Sequence, residues 1–297
     1  MSDRLSEANS EFWDEVCGSN FAKSLGIHDS QPQSLKRFDD WYFAFYPYLC
    51  DFLDRVVERR GSVLEIGLGY GSVGTFLLSR GMTYAGVDIA SGPVDLMNLR
   101  ASHLGLSEPV ALLGDVLELE MFEQDIFDSV IAIGSLHHTG DFDLALQEAA
   151  RVAKPGGTLV GMVYSLFSLR NWLRRPLVMF KALLRNRLTA GARICADENL
   201  RWMSDHNSSG VAAPATEYFS RRALRKALEP FGDVSIRAQN LDTFVATDAN
   251  KFFPRLRLFL LKTPLAYLVG LDLYFTLELR GEDGARAAGP PADSGKR

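Results

Sequence analysis

From residue 62 onward, short apolar runs alternate with stretches in which apolar residues recur every three to four positions. That is the pattern of buried strands separated by amphipathic helices. Strands are predicted over 63–66, 83–88, 109–115, 127–135 and 158–165, with helices over 72–79, 93–103 and 143–153 between them. Lys154, Pro155, Gly156 and Gly157 read as a turn ahead of the fifth strand. Such alternation implies an α/β, Rossmann-like, doubly wound and mostly parallel sheet. A helix over 218–231 and strands over 233–239 and 274–280 continue the pattern.

Two regions break the alternation. Residues 1–60 read as a helical N-terminal cap, in which Phe38, Trp41, Phe45, Leu49, Phe52, Leu53 and Val56 fall at helical spacing and Pro47 should kink or divide the helix. An insertion occupies about 166–215, and residues 281–297, rich in Gly, Pro and Ala, are expected to be a disordered tail. With no sequence repeat and no added piece long enough to own a core, residues 61–280 form one decorated domain.

Composition narrows the class. The 297 residues are 47% hydrophobic and 23% charged, which excludes collagen-like, disordered and disulfide-scaffold chains. Lys plus Arg total 32 against 37 Asp plus Glu, a formal charge of -5 that does not favour nucleic acid as a partner. Cys17, Cys50 and Cys195 are far apart and lack neighbouring histidines at ligand spacing, so no metal site is indicated. A polar, acidic start and the absence of a long uninterrupted apolar stretch suggest a cytoplasmic protein.

Candidate chemistry begins at the loop Glu65, Ile66, Gly67, Leu68, Gly69, Tyr70, Gly71, between the first strand and the next helix. Glycines there let backbone approach a ligand, and the helix start offers unpaired amides. A dinucleotide fingerprint would need its third glycine at residue 72, which is Ser72. The loop, Asp88 after the second strand, Asp115 after the third, the stretch 135–141 (SLHHTGD) and 154–157 (KPGG) follow in order. Together they resemble the class I S-adenosylmethionine-dependent methyltransferases over about 60–165, particularly the ubiquinone and menaquinone biosynthesis branch.

This resemblance implies S-adenosylmethionine as cofactor and a seven-stranded sheet whose last strand, 274–280, is antiparallel and inserted beside the fifth. Gly67, Gly69 and Gly71 would wrap the methionine portion, with Glu65 organising the loop or meeting the amino group. Asp88 would accept from the ribose hydroxyls, Ile89 would flank the adenine, and Asp115 with the Val116 backbone would bind its edge. Gly134 and Ser135 would line the methionine side. For each of these positions a turn or a helix cap is the structural alternative.

His137 and His138 follow the fourth strand, where a base could act on an acceptor that must lose a proton. His138 is the candidate, and capping of the following helix is the alternative. Tyr164 and residues 202–207 could reach the acceptor from the fifth strand, or form a surface loop with one packed aromatic. The aromatic helix bearing Trp41, Tyr42, Phe45 and Tyr46 could cover the cofactor, or simply pack. Between Glu148 and Asp197 stand nine Lys or Arg and no acid, suggesting that the 166–190 segment meets a membrane surface or an anionic acceptor, or is a solvated face. The expected activity is methyl transfer to a small-molecule or lipid-like acceptor. A catalytically silent cofactor-binding subunit and an RNA methyltransferase are the alternatives, and oxygen, nitrogen, sulfur and carbon acceptors stay open.

Overall fold

A parallel strand covered by helices on both faces has no solvent side, and Val63 through Ile66 are accordingly all buried. They belong to β1 (Ser62–Ile66) in a computed structural model that describes residues 2–17, 19–189, 191–241 and 253–281. Ahead of β1 lie α1 (Ser2–Val16), α2 (Ser19–Ser24), α3 (Pro32–Phe45) and α4 (Leu49–Arg59). Then come α5 (Ser72–Ser79), β2 (Thr83–Asp88), α6 (Ser91–His103), β3 (Ala111–Leu113), β4 (Phe127–Ile133), a 3-10 turn over Leu136–His138, α7 (Phe142–Val152) and β5 (Ala153–Ser165). The insertion holds α8 (Leu169–Arg174), α9 (Pro176–Leu188), β6 (Arg193–Cys195) and α10 (Glu198–Trp202). The chain continues through β7 (Glu217–Phe219), α11 (Arg221–Leu228), β8 (Gly232–Gln239), α12 (Phe253–Leu261), α13 (Pro264–Val269) and β9 (Asp272–Leu279). The tail expected over 281–297 lies, from residue 282 on, outside the described residues.

Among the described residues the strands join into one nine-stranded sheet. Strands β3, β2, β1, β4 and β5 lie side by side and parallel. On the far side of β5, β9 runs antiparallel from Thr158↔Glu278 to Tyr164↔Asp272, and β8 pairs antiparallel beyond it. All seven expected strands are present in the expected order. The other two are β6 within the insertion and β7 just after it: the end of β5 pairs parallel with β7, which carries β6 antiparallel.

Three differences from the sequence pattern stand out. The strand expected over 109–115 shortens to Ala111–Leu113, and the expected Lys154–Gly157 turn is drawn into β5, where the Gly156 N–H donates to the Arg280 carbonyl at 3.1 Å. The helix expected from 218 begins at Arg221, because the Ser220 hydroxyl accepts from the Ala223 N–H at 3.1 Å and caps it there. That cap frees buried Glu217, Tyr218 and Phe219 for the sheet.

Each sheet face has its own core. On one, α7 and α11 cover Leu64, Leu159 and Phe275. On the other, α4 turns Leu49, Phe52, Leu53 and Val56 inward at helical spacing, with Phe52 stacked on Tyr274 at 4.9 Å. Burial of one such side chain contributes about 1.5–3 kcal/mol. Pro47 does divide the aromatic helix, leaving α3 and α4 as separate pieces that reach the loop and the core.

Candidate active site

The loop after β1, Asp88 at the end of β2, Asp115 after β3, and Gly134 and Ser135 after β4 all stand at the carboxyl edge of the sheet. Open α/β sheets bind ligands there. One cavity of about 450 Å³ opens at this edge and is bordered by Gly67, Gly69, Asp88, Ile89, Asp115, Val116, Gly134, Ser135 and His138. Gly67 has φ +83°, and a Cβ on it would lie 2.5 Å from the Ser135 Cβ, so only glycine lets the loop pass over Ser135. Ser135 in turn donates to the Ile66 carbonyl at 2.6 Å.

Asp88 is buried and held by the loop it supports: its oxygens accept from the Leu68 N–H at 2.7 Å and the Ala90 N–H at 2.9 Å. Burial pushes its pKa above the ordinary 3.8, and these backbone amides oppose the shift. A carboxylate has about four acceptor sites, so capacity remains for a ligand. Asp115 accepts from the Leu117 N–H at 2.9 Å and from the Ser6 hydroxyl at 2.6 Å. The Ile89 carbonyl accepts from the Ser10 hydroxyl at 2.9 Å.

Two expected residues stand elsewhere. Gly71 borders neither described cavity and is the left-handed N-cap of α5, where a Cβ would meet the Arg100 side chain at 2.7 Å. Its absent side chain lets α6 pack close. Glu65 lies beneath the loop, only 3% exposed, and accepts from the Tyr84 hydroxyl at 2.6 Å. Burial lifts its carboxyl to about 8. It borders a second cavity of about 190 Å³ that shares Gly67 and Gly69 with the first and is walled by Trp41, Tyr42 and Tyr46 of the aromatic N-terminal segment.

The two histidines separate cleanly. His137 is fully buried, and neither of its ring nitrogens has a partner among the described residues; burial drives its pKa well below 6.5. His138 borders the larger cavity, with its Nδ1 2.9 Å from the Ala215 carbonyl. A carbonyl only accepts, so Nδ1 carries the proton and Nε2 keeps the lone pair. Nε2 stands 3.8 Å from Asp205, which also accepts from the Tyr164 hydroxyl at 3.0 Å. Burial lowers the His138 pKa below 6.5 while Asp205 opposes the shift. Tyr164 and part of the 202–207 cluster are thus brought to the site, with Ser204, Asp205 and His206 on the cavity wall.

The site also recruits α1, which sequence reasoning missed. Asn9 is 4% exposed; its Nδ2 donates to the His138 carbonyl at 3.0 Å, and its Oδ1 has no partner among the described residues. Trp13 sets its ring 4.7 Å from the His138 ring. Ser6, Asn9, Ser10 and Trp13 recur at spacings of three and four, a small polar stripe where a core-packing helix would carry an apolar one. That stripe was the available signal. Among the described residues, no group of three or more His, Cys, Asp or Glu is placed to hold a metal ion.

Comparison with known proteins agrees with this geometry. Residues 64–161 match the family described as Methyltransferase domain. The chain is 30% identical over 109 residues to the sterol 4-C-methyltransferase strm-1 of Caenorhabditis elegans, an alignment covering 37% of this chain and 32% of that protein. It is 31% identical over 113 residues to the ubiquinone biosynthesis O-methyltransferase of Pseudomonas fluorescens, covering 37% and 48%. The matched part therefore spans a third to a half of these curated relatives. In fold, the chain is similar to the PH0226 protein of Pyrococcus horikoshii OT3, with a TM-score of 0.50 and 17% identity, covering 85% of this chain and 94% of that one. The fold and crevice define an open α/β protein with a ligand cavity at the carboxyl edge of its sheet. The matched stretch is similar to a methyltransferase domain, the class to which the class I resemblance of the loop and strand-end acids also points.

Proposed function

We propose that this protein transfers the methyl group of S-adenosylmethionine to a small, lipid-like acceptor and releases S-adenosylhomocysteine. The observation that carries this is the convergence on one cavity of the glycine loop, a carboxylate at each of two successive strand ends, and a base-competent histidine. S-adenosylmethionine supplies an electrophilic methyl group on a positively charged sulfur. The residues fit it: Asp88 has spare lone pairs for two ribose hydroxyls, Asp115 and Val116 offer acceptor and backbone for the adenine edge, and Ile89 flanks it. Gly67, Gly69, Gly134 and Ser135 leave backbone exposed on the methionine side. Glu65 stays beneath the loop, tied to the Tyr84 hydroxyl of β2.

His138 takes the proton of the acceptor at Nε2, and Asp205 steadies the imidazolium that results. Tyr164 positions Asp205. Trp13 and the rest of α1 close the crevice and exclude water, and alignment of the acceptor supplies much of the rate. A lipid-like acceptor is supported by the apolar contribution of Val16, Phe21 and Ile133 to the cavity and by relatives named for sterol and ubiquinone methylation.

The test incubates the protein with S-adenosylmethionine and a panel of hydroxylated quinones, sterols and fatty acids, reading S-adenosylhomocysteine release. Acceptor-dependent release that drops at least about a hundredfold in His138→Gln is expected. Intact cofactor binding without release for any acceptor class contradicts the transferase reading.

A further inference from the structure

The insertion carries a surface that methyl transfer does not use. In α9, Met179 and Ala182 face inward, while Leu177, Phe180, Leu184 and Leu188 are exposed, Leu177 by 79% and Leu188 by 84%. At 100° per residue these four fall within one arc of about 80°. Lys181 and Arg185 flank that arc on one side and Arg187 on the other. None of these three cations forms an ion pair with a described residue, whereas neighbouring Arg175 is paired with Asp197. A solvated basic face does not need a large apolar centre, and a core-facing helix does not point its leucines outward.

The surroundings share this character. The Arg222 side chain of α11 donates to the Asn186 carbonyl of α9 at 3.5 Å, and Arg221 stacks 4.3 Å over Tyr267 of α13. Neither α11 nor the α12–α13 segment contains an acid, although the whole chain has a formal charge of -5. The insertion leaves the sheet at the end of β5, and its own Ser204, Asp205 and His206 line the cavity. This basic, greasy face therefore belongs to the same segment that walls the site.

We propose that the outer face of α9 docks the protein on an anionic lipid surface. Its leucines and Phe180 enter the boundary between headgroups and acyl chains, and Lys181, Arg185 and Arg187 reach sideways to lipid phosphates. RNA would meet the same cations but has no use for the apolar arc. The proposal holds whether or not the cavity performs methyl transfer, and its test is separate.

Full-length protein is sedimented with vesicles of phosphatidylcholine alone and with vesicles of equal parts phosphatidylcholine and phosphatidylglycerol. Binding to the anionic vesicles only, weakened by salt, is expected. Lys181→Glu with Arg185→Glu should lower vesicle affinity at least about tenfold, and Phe180→Ser with Leu184→Ser should lower it comparably. Both variants should keep the parent's circular dichroism and melting temperature, since all four side chains are exposed. No sedimentation of the parent, or equal sedimentation of folded variants, overturns the proposal. So does salt-sensitive retention of RNA, or a parent dimer that the variants dissolve, where vesicle binding is lacking.

Discussion

Asp88 serves the loop and the ligand at once, because it accepts two backbone amides and still has lone pairs to offer. Asp88→Ala should weaken S-adenosylhomocysteine binding by about 1.5–3 kcal/mol in calorimetry, the scale of hydrogen bonds to a charged group; unchanged affinity in a folded variant would remove it from the site. At His138, burial lowers the pKa, and the neutral imidazole is the form that accepts a proton. The acid limb of kcat/KM should therefore fall below the ordinary histidine value of 6.5 and vanish in His138→Gln, whereas a limb that persists places the base elsewhere. Glu65 has the opposite sign: its pKa in the fold is raised from 4.5 to about 8, so its contribution to stability is full below 4.5 and is lost as pH rises through about 8. Glu65→Gln removes that ionisation, and its melting temperature relative to the parent should be higher above pH 8 than below 4.5; a pH-independent difference would contradict the burial argument. Asp88 and Asp115 were legible because each follows an apolar strand. Asp205 was legible only as one of the stretch 202–207 and Asn9 not singled out at all, since their significance comes from where the insertion and α1 are carried in space.

Helix α1 crosses several strand ends, tied through Ser6 to Asp115, Ser10 to Ile89 and Asn9 to His138. Asn9→Ala with Ser10→Ala removes two of these ties, each contributing about 0.5–1.5 kcal/mol. Stopped-flow release of S-adenosylhomocysteine should then be about tenfold faster, and an unchanged rate would mean that α1 does not cover the crevice. The sequence offered the aromatic segment with Trp41 and Tyr42 either as a cover or as simple packing, and it walls the smaller cavity beside the loop. Aromatic residues draw attention through burial energy, while α1 does its work with serine and asparagine, which read as surface. The start of α11 gives the same lesson, since Tyr218 and Phe219 continue the apolar spacing of the helix and only the Ser220 cap shows where the helix begins.

At the scale of the molecule, alternation of strand and helix made β1 through β5 readable in order, because buried parallel strands must be nearly continuous apolar runs, and the antiparallel β8 and β9 followed them. Strands β6 and β7 have three residues each, too few to carry a period, and arise only because β5 offers an edge. On the opposite side of β5, the seam with β9 is shaped by Gly161, paired with Phe275, whose ring fills the space a side chain at 161 would take. Gly161→Val should destabilise the fold by about 1–3 kcal/mol in denaturant titration through overpacking, and a neutral effect would show that the β5–β9 seam is looser than described. The sheet brings the loop, both carboxylates and His138 to one edge, so the central claim is that this edge binds S-adenosylmethionine. Calorimetric titration of the purified protein with S-adenosylhomocysteine, with NADH as control, tests it most directly. One-to-one micromolar binding of S-adenosylhomocysteine and none of NADH is expected; no heat from S-adenosylhomocysteine, or equal binding of NADH, would contradict a cofactor site at this edge.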